Sequence, residues 1–273
     1  MSRPHALVVL DFSGTLSVAA ARFAAPERLT AELARSGLAA LGIDTPDVFW
    51  ERLVNPTWER GSTTSAGYVT VLTEAAIHLL RERGHHQDPA VVGECVSRFA
   101  DRYFASSTIA EPWQPWLHRL FAHPDLVMMV ATDHYAEVTG HIIAQLAAHG
   151  LPAAAVTGAH RAPDAHVIVA NSADIGHHKA ERSFWDAVAR TASAVDPVVT
   201  IDDFGANEQQ DDAYAAQTRL ARRQQETADL LSAVFGASVT ALPFALDEDG
   251  GADLRHRIDE IGRTTMRVLS GAP

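Results

Sequence analysis

Four short apolar runs in this sequence each lead into side chains that can do chemistry. Ala6 to Leu10 runs into Asp11-Phe12-Ser13-Gly14-Thr15-Leu16, and Leu126 to Ala131 runs into Thr132-Asp133. His166 to Ala170 leads through Asn171-Ser172 and Gly176 to Lys179. Pro197 to Ile201 ends in Asp202-Asp203, with Asn207 four residues later. A carboxylate, a hydroxyl, an ammonium and a carboxylate pair suit phosphoryl transfer. A carboxylate can attack phosphorus. A second carboxylate cluster facing it calls for a divalent cation, and Mg²⁺ takes oxygen ligands while leaving sites for water and phosphate. The hydroxyl and the ammonium can hold the remaining phosphoryl oxygens. Lys179 is the single lysine among 22 basic residues. Lysine is a compact point charge where arginine is a planar fork, so a lone lysine in an Arg- and Ala-rich chain points to a position that uses the point charge.

The four runs read as strands buried on both faces. Each is followed by polar residues and a helical pattern, and that alternation predicts a parallel α/β sheet. Ligands of open α/β sheets bind beyond the carboxyl ends of the strands, where the reactive residues fall. Residues 17–110 contain no good strand and read as an inserted helical module. Thr45-Pro46-Asp47 and Asp88-Pro89 are helix-start signals. Thr63 and Thr64 are expected to open a helix that carries Val69, Leu72, Ala76, Leu79 and Leu80 on one face and closes at Gly84. After Ile201 the pattern predicts a long helix to about Phe235, a strand from Ala237 to Leu246, an exposed turn at Asp247 to Gly251, and a last helix from about Ala252. Glu208 to Asp212 reads as a solvated first helical turn.

Composition narrows the partners. The chain has 273 residues, 22 Lys and Arg against 34 Asp and Glu, and a formal net charge of −12. An acidic surface argues against nucleic acid and anionic membrane. No apolar run approaches a membrane span, and the N-terminal run is too short for a signal peptide, so a cytoplasmic protein is expected. The single cysteine, Cys95, excludes an intramolecular disulfide and a four-thiolate zinc site, and reads as a small buried apolar residue. The 14 histidines show no metal-ligand spacing, but His134 and His178 fall near the strand ends. Arg22 and Arg60 are candidate contacts for an anionic substrate, while Trp50, Trp58 and Tyr68 read as core aromatics.

In order and spacing the motifs resemble the haloacid dehalogenase (HAD)-like superfamily. The resemblance spans residues 6–207 and rests on DxxGTL at Asp11 to Leu16, Thr132, the Ser172…Gly176…Lys179 approach and Asp202-Asp203. The helical insert resembles the cap of subfamily I, and Arg60-Gly61-Ser62-Thr63-Thr64 resembles a stretch common in such caps. The resemblance implies a Rossmann-like core of residues 1–16 plus 111–273, with a cap of residues 17–110. It implies Asp11 as the nucleophile forming an aspartyl-phosphate. Asp11, the Ser13 carbonyl, Asp202 and Asp203 would bind Mg²⁺. Thr132 and Lys179 would hold the phosphoryl group, with Asp133 beside them, and Asn207 stands where many members carry a further acid. A Mg²⁺-dependent phosphohydrolase or phosphotransferase on a small phosphorylated metabolite is expected, as a monomer or homodimer.

Ser13 departs from the phosphatase pattern, which has an Asp that protonates the leaving group. A serine hydroxyl is a poor general acid, and that help is typically worth about 10²–10⁴-fold. Several readings stay open. The substrate carries a good leaving group, or Asp133, His134 or a cap residue supplies the proton. Alternatively the aspartyl-phosphate is long-lived and passed to an acceptor, or the domain is catalytically silent and binds a phosphorylated ligand or a protein. Phosphonoacetaldehyde-type C–P bond hydrolysis needs a cap lysine, which the insert lacks. Dehalogenation would leave the acidic pair at the fourth strand end without a use.

Overall fold

Six parallel strands form one sheet in the computed structural model, which describes residues 5–156, 167–192, 195–207, 217–246 and 254–271. They are β1 (His5–Leu10), β2 (Leu126–Thr132), β3 (Ala153–Ala155), β4 (Val167–Asn171), β5 (Val195–Asp202) and β6 (Val239–Pro243). Their order across the sheet is β3-β4-β2-β1-β5-β6. All four apolar runs are strands over their described residues, His166 lying outside these, and β6 occupies the middle of the stretch expected from Ala237 to Leu246. β3 is an addition to the sequence reading. It consists of three alanines paired, among the described residues, with β4 alone, too small to show as a bulky apolar run. The turn expected at Asp247 to Gly251 and the helical turn at Glu208 to Asp212 lie outside the described residues.

β1 is central, and its register sets the site. Leu10 is level with Val130 of β2 and Ile201 of β5. Asp11 extends the ladder by donating its N–H to the Ile201 carbonyl at 2.9 Å. Three strand ends therefore reach one line, where the chain's connections diverge to opposite sides of β1. Successive β1 side chains alternate between the sheet's faces. Val8 and Leu10 join Trp113, Leu117, Ile142 and Ile258, whereas Leu7 and Val9 join Phe184, Trp185, Val188 and Leu231. Burial on both faces is why the strand runs are continuously apolar.

Between β1 and β2 the described residues form helices with an apolar cluster of their own, which includes Leu29, Leu33, Phe49, Leu72, Leu79, Val96 and Phe99. Thr45 Oγ1 accepts from the Val48 N–H at 3.3 Å, and an Asp88 carboxylate oxygen accepts from the Ala90 N–H at 2.9 Å. Both act as the N-caps expected of them. Thr63 and Thr64 do not open the next helix. Their hydroxyls bond back to the Glu59 and Arg60 carbonyls at 2.5 and 2.7 Å, closing the short helix Trp58–Thr63. The next helix starts at Tyr68, after Gly67 at φ 79°.

That short helix joins the insert to the sheet's loops. A Cβ at Gly61 would lie 2.3 Å from the Tyr135 ring. Ser62 Oγ sits 2.7 Å from His178 Nε2, and Trp58 stacks on the His178 ring at 6.2 Å with an interplanar angle of 3°. A Glu137 carboxylate oxygen accepts from the Tyr68 N–H at 2.7 Å, capping the helix Tyr68–Glu82 from the other side of the junction. Ala is ordinarily better than Gly inside a helix by about 1 kcal/mol. At position 61 the ring contact should reverse that sign. Gly61→Ala is expected to lower stability by about 1–3 kcal/mol, as overpacking does, seen as a lower urea midpoint. An unchanged or higher midpoint would contradict the packing described.

Candidate active site

Asp11 follows directly on β1 and is 5% exposed. The loop after it folds back tightly: the Gly14 N–H donates to the Ser17 carbonyl at 3.0 Å, and the Ser17 N–H to the Phe12 carbonyl at 2.7 Å. Gly14 has φ 80°, and a Cβ there would lie 2.1 Å from an Asp203 carboxylate oxygen. Only glycine lets the first loop approach that carboxylate.

Lys179 reaches into this cluster. Its Nζ donates to Asp11 at 2.6 Å and to Asp202 at 2.9 Å. Its backbone N–H donates to Asp133 at 2.8 Å, and its carbonyl accepts from Trp185 Nε1 at 2.7 Å. The main chain is thus held on both sides, and the ammonium is aimed at the strand ends. Burial works against the charge of Lys179, but Asp11, Asp202 and Asp133 outweigh it and hold the ammonium protonated well above its ordinary range. Burial pushes the Asp11 carboxyl up to about 7, with Asp202 and Asp133 adding to the rise and Lys179 opposing it. Burial likewise raises Asp133, against the pull of Lys179.

Asp202 and Asp203 are fixed by the turn after β5. The Phe204 N–H donates to Asp202 at 2.7 Å, and the Gly205 and Asn207 N–H groups donate to Asp203 at 2.8 and 3.1 Å. Oxygens of Asp11, Asp202 and Asp203 lie within 4.8 Å of one another. Three carboxylates around one ammonium leave net negative charge in a buried space. Hard oxygen donors in that arrangement fit a divalent cation.

Asn207 has another task than the expected acid's. Its side-chain N–H groups donate to the Gly14 and Phe244 carbonyls at 2.8 and 2.6 Å, and its oxygen accepts from the Leu246 N–H at 2.8 Å. It ties the first loop to the chain leaving β6. His134 is also committed. The Tyr135 N–H donates to Nδ1 at 2.9 Å, so Nε2 carries the ring proton and points at the Tyr103 oxygen, 2.7 Å away. Burial lowers its pKa to about 3. The imidazole is thus neutral, with both of its nitrogens engaged.

A cavity of about 530 Å³ opens over these residues. Asp11, Ser13, Thr132, Asp133, Lys179, Asp202 and Asp203 all line it. The structure thus brings together the residues expected at the four strand ends. Arg22 and Arg60 do not line the cavity, which corrects the expectation that they face the substrate. Both are exposed, and Arg60 pairs with Glu74 at 2.5 Å on the outside of the insert. Asn171, at the end of β4, has a role that its place in the sequence does not show. Its buried amide accepts from the His134 N–H at 3.2 Å and donates to the Tyr135 carbonyl and Thr139 Oγ1, both at 3.0 Å. That clamp shapes the loop after β2. An Asn at a strand end carries no pattern of its own, so only the fold reveals it.

The raised Asp11 carboxyl has a consequence for stability. Its folded value of about 7 lies above the ordinary 3.8. Ionising it therefore costs the fold stability, with no cost below the lower value and the full cost above the higher one. In buffer without divalent cations, Asp11→Asn is expected to stabilise the protein at pH 8 by about 1 kcal/mol or more and to change little near pH 4. Urea unfolding at both pH values measures this, and a loss of stability at pH 8 would contradict the electrostatics described.

No family model and no curated protein matches this chain. Solved structures do. A HAD-like family hydrolase from Porphyromonas gingivalis aligns over 96% of this chain and 98% of its own, at 15% identity and TM-score 0.46. A HAD family enzyme from Bacteroides thetaiotaomicron, a mutant in complex with magnesium and inorganic phosphate, aligns over 89% and 97%, at 13% identity and TM-score 0.46. A HAD-hydrolase from Bacillus subtilis bound to magnesium aligns over 74% and 79%, at 17% identity and TM-score 0.38. At these identities and scores the likenesses lend no role to any single residue. What the chain is similar to, in the order of its motifs and among solved structures alike, is a HAD-like hydrolase.

Proposed function

We propose that this chain is a HAD-type phosphohydrolase acting on a small phosphorylated metabolite, with Asp11 as the nucleophile. The observation that carries the reading is the array of Asp11, Lys179 and Asp202 at the ends of parallel strands, with Asp203 completing a carboxylate cluster. Such an array is costly for a fold that does not use it, because buried like charges oppose one another. Residues 17–110 act as a cap that keeps water from the site, over a core of residues 1–16 plus 111–273.

The Asp11 carboxylate attacks phosphorus and forms an aspartyl-phosphate as the bond to the leaving oxygen breaks. Lys179 Nζ and Thr132 Oγ1 hold the phosphoryl oxygens, and Asp133 fixes the Lys179 backbone that aims the ammonium. Asp11, the Ser13 carbonyl, Asp202 and Asp203 would hold Mg²⁺. When bound, the ion offsets the charge of these carboxylates and of the phosphoryl oxygens. Water then attacks the aspartyl-phosphate, releases phosphate and restores Asp11.

Ser13 supplies no proton to the leaving oxygen, and His134 is neutral and engaged. Groups that depart without protonation are therefore favoured. Asp11→Asn is expected to abolish phosphate release. Ser13→Asp is expected to raise turnover of esters with poor leaving groups, toward the roughly 10²–10⁴-fold that acid–base help is typically worth. Both are read by Mg²⁺-dependent phosphate release. Turnover surviving in Asp11→Asn would end the nucleophile assignment. No Asp11-dependent release from any ester or anhydride would favour a silent domain that binds a phosphorylated ligand or a protein.

A further inference from the structure

Besides the strand ends and the insert, one helix of the core lines the cavity. Helix Gln217–Phe235 contributes Arg222, Arg223, Glu226, Thr227 and Leu230. Their spacing puts them on a single face of that helix. The helix is fixed to the sheet. Gln224 Nε2 donates to the Ala241 carbonyl of β6 at 2.8 Å, and Leu231 is buried in the core with Leu7 and Val9 of β1. Arg223 reaches the turn after β5, where its Nη1 donates to the Phe204 carbonyl at 3.4 Å, one residue beyond Asp203. Arg222 pairs with Glu226 at 3.4 Å along the helix, and both are exposed.

Charge is unevenly placed around this cavity. Lys179 is committed to the carboxylate cluster, where its ammonium bonds to Asp11 and Asp202. Asp133 and Asp203 add negative charge there, so a further acid group on a ligand is repelled from that end. His134 is neutral, and the described residues of the insert that line the cavity carry no charge. Among the described residues, the remaining cations of the lining are Arg222 and Arg223. A guanidinium presents five N–H donors in a planar fork that matches a carboxylate or a phosphate. Five donors allow it to serve a protein partner and a ligand at once. An exposed pair such as Arg222–Glu226 is weak and yields to a two-pronged bond. Thr227, one turn after Arg223, adds a hydroxyl to the same face.

We infer that the substrate is a phosphate ester with a second anionic group, a carboxylate or a further phosphate, held by Arg222 and Arg223 while the reacting phosphate lies at Asp11. This rests on the phosphohydrolase reading above. Arg222 and Arg223 are then specificity-determining residues. A helix of the core, rather than the insert, reads the far end of the substrate. In a chain of net charge −12, this local pair of cations also draws an anion toward the cavity.

The test measures kcat/KM of the full chain, with Mg²⁺, on matched pairs of esters, each beside Asp11→Asn. Carboxyphenyl phosphates (meta and para) are paired with the carbamoylphenyl phosphates, which are neutral at the same place and have a similar leaving group. Phosphoglycerate is paired with glycerol phosphate, and phenylene bisphosphate with phenyl phosphate. In at least one pair the ester with the second anion is expected to exceed its partner by about tenfold or more, because hydrogen bonds to charged groups are among the stronger ones. The pair with the larger ratio says whether the second anion is a carboxylate or a phosphate. In the double variant Arg222→Ala/Arg223→Ala that ratio is expected to fall toward one. The ratio is taken within each variant, so a loss of folded protein cancels. Ratios at or below one in every pair of the unaltered chain would overturn the inference and leave the phosphohydrolase standing. A ratio above one that survives in the double variant would overturn the role given to the arginines. No Asp11-dependent release from any of these esters would overturn the phosphohydrolase reading and this inference with it.

Discussion

One ammonium among buried carboxylates governs the architecture of the site. Lys179 bonds to Asp11 and Asp202 with its side chain and to Asp133 with its backbone, and Asp203 adds another carboxylate to the cluster. Burial makes this charge imbalance expensive, and the raised carboxyl of Asp11 is its direct expression. The surroundings are built to contain it. N–H groups of the turn after β5 satisfy Asp202 and Asp203, Gly14 lets the first loop come in without a side chain, and Asn207 straps that loop to the chain leaving β6.

The insert is keyed to the same charges. The loop that carries Lys179 also carries His178, and His178 meets Ser62 and Trp58 of the insert. Glu137, on the helix after β2, caps an insert helix, and Tyr135 fills the space left by Gly61. The insert therefore packs directly against the loop that aims the ammonium. Aromatic side chains of the insert and the carboxylate cluster line one cavity, together with Arg222, Arg223 and Glu226.

Much of this was legible in the sequence, for physical reasons. Strands covered on both faces write continuous apolar runs, and the residues at their ends stand out because polar groups there are otherwise costly to bury. Asp11, Thr132, Lys179 and Asp202-Asp203 were visible on that ground. The edge strand Ala153–Ala155 was not, since alanines give no bulky signal. Thr63 and Thr64 misled, because a hydroxyl that caps a following helix and one that closes a preceding helix look alike in sequence. Arg22 and Arg60 misled because charge alone does not say which side of a helix faces the cavity. The clamps of Asn171 and Asn207 depend on contacts far along the chain, which no local pattern encodes.

In the proposed reaction Ser13 would give no proton to the leaving oxygen, and His134 is held neutral. The nucleophile's identity is the point on which everything else turns. The measurement that tests it most directly is mass spectrometry of the protein acid-quenched during turnover of phenyl phosphate with Mg²⁺. The account predicts the mass increment of one phosphoryl group on the peptide containing Asp11, absent from Asp11→Asn. Phosphate release with no phosphorylated protein at any quench time, or a phosphoryl group on another residue, would contradict it.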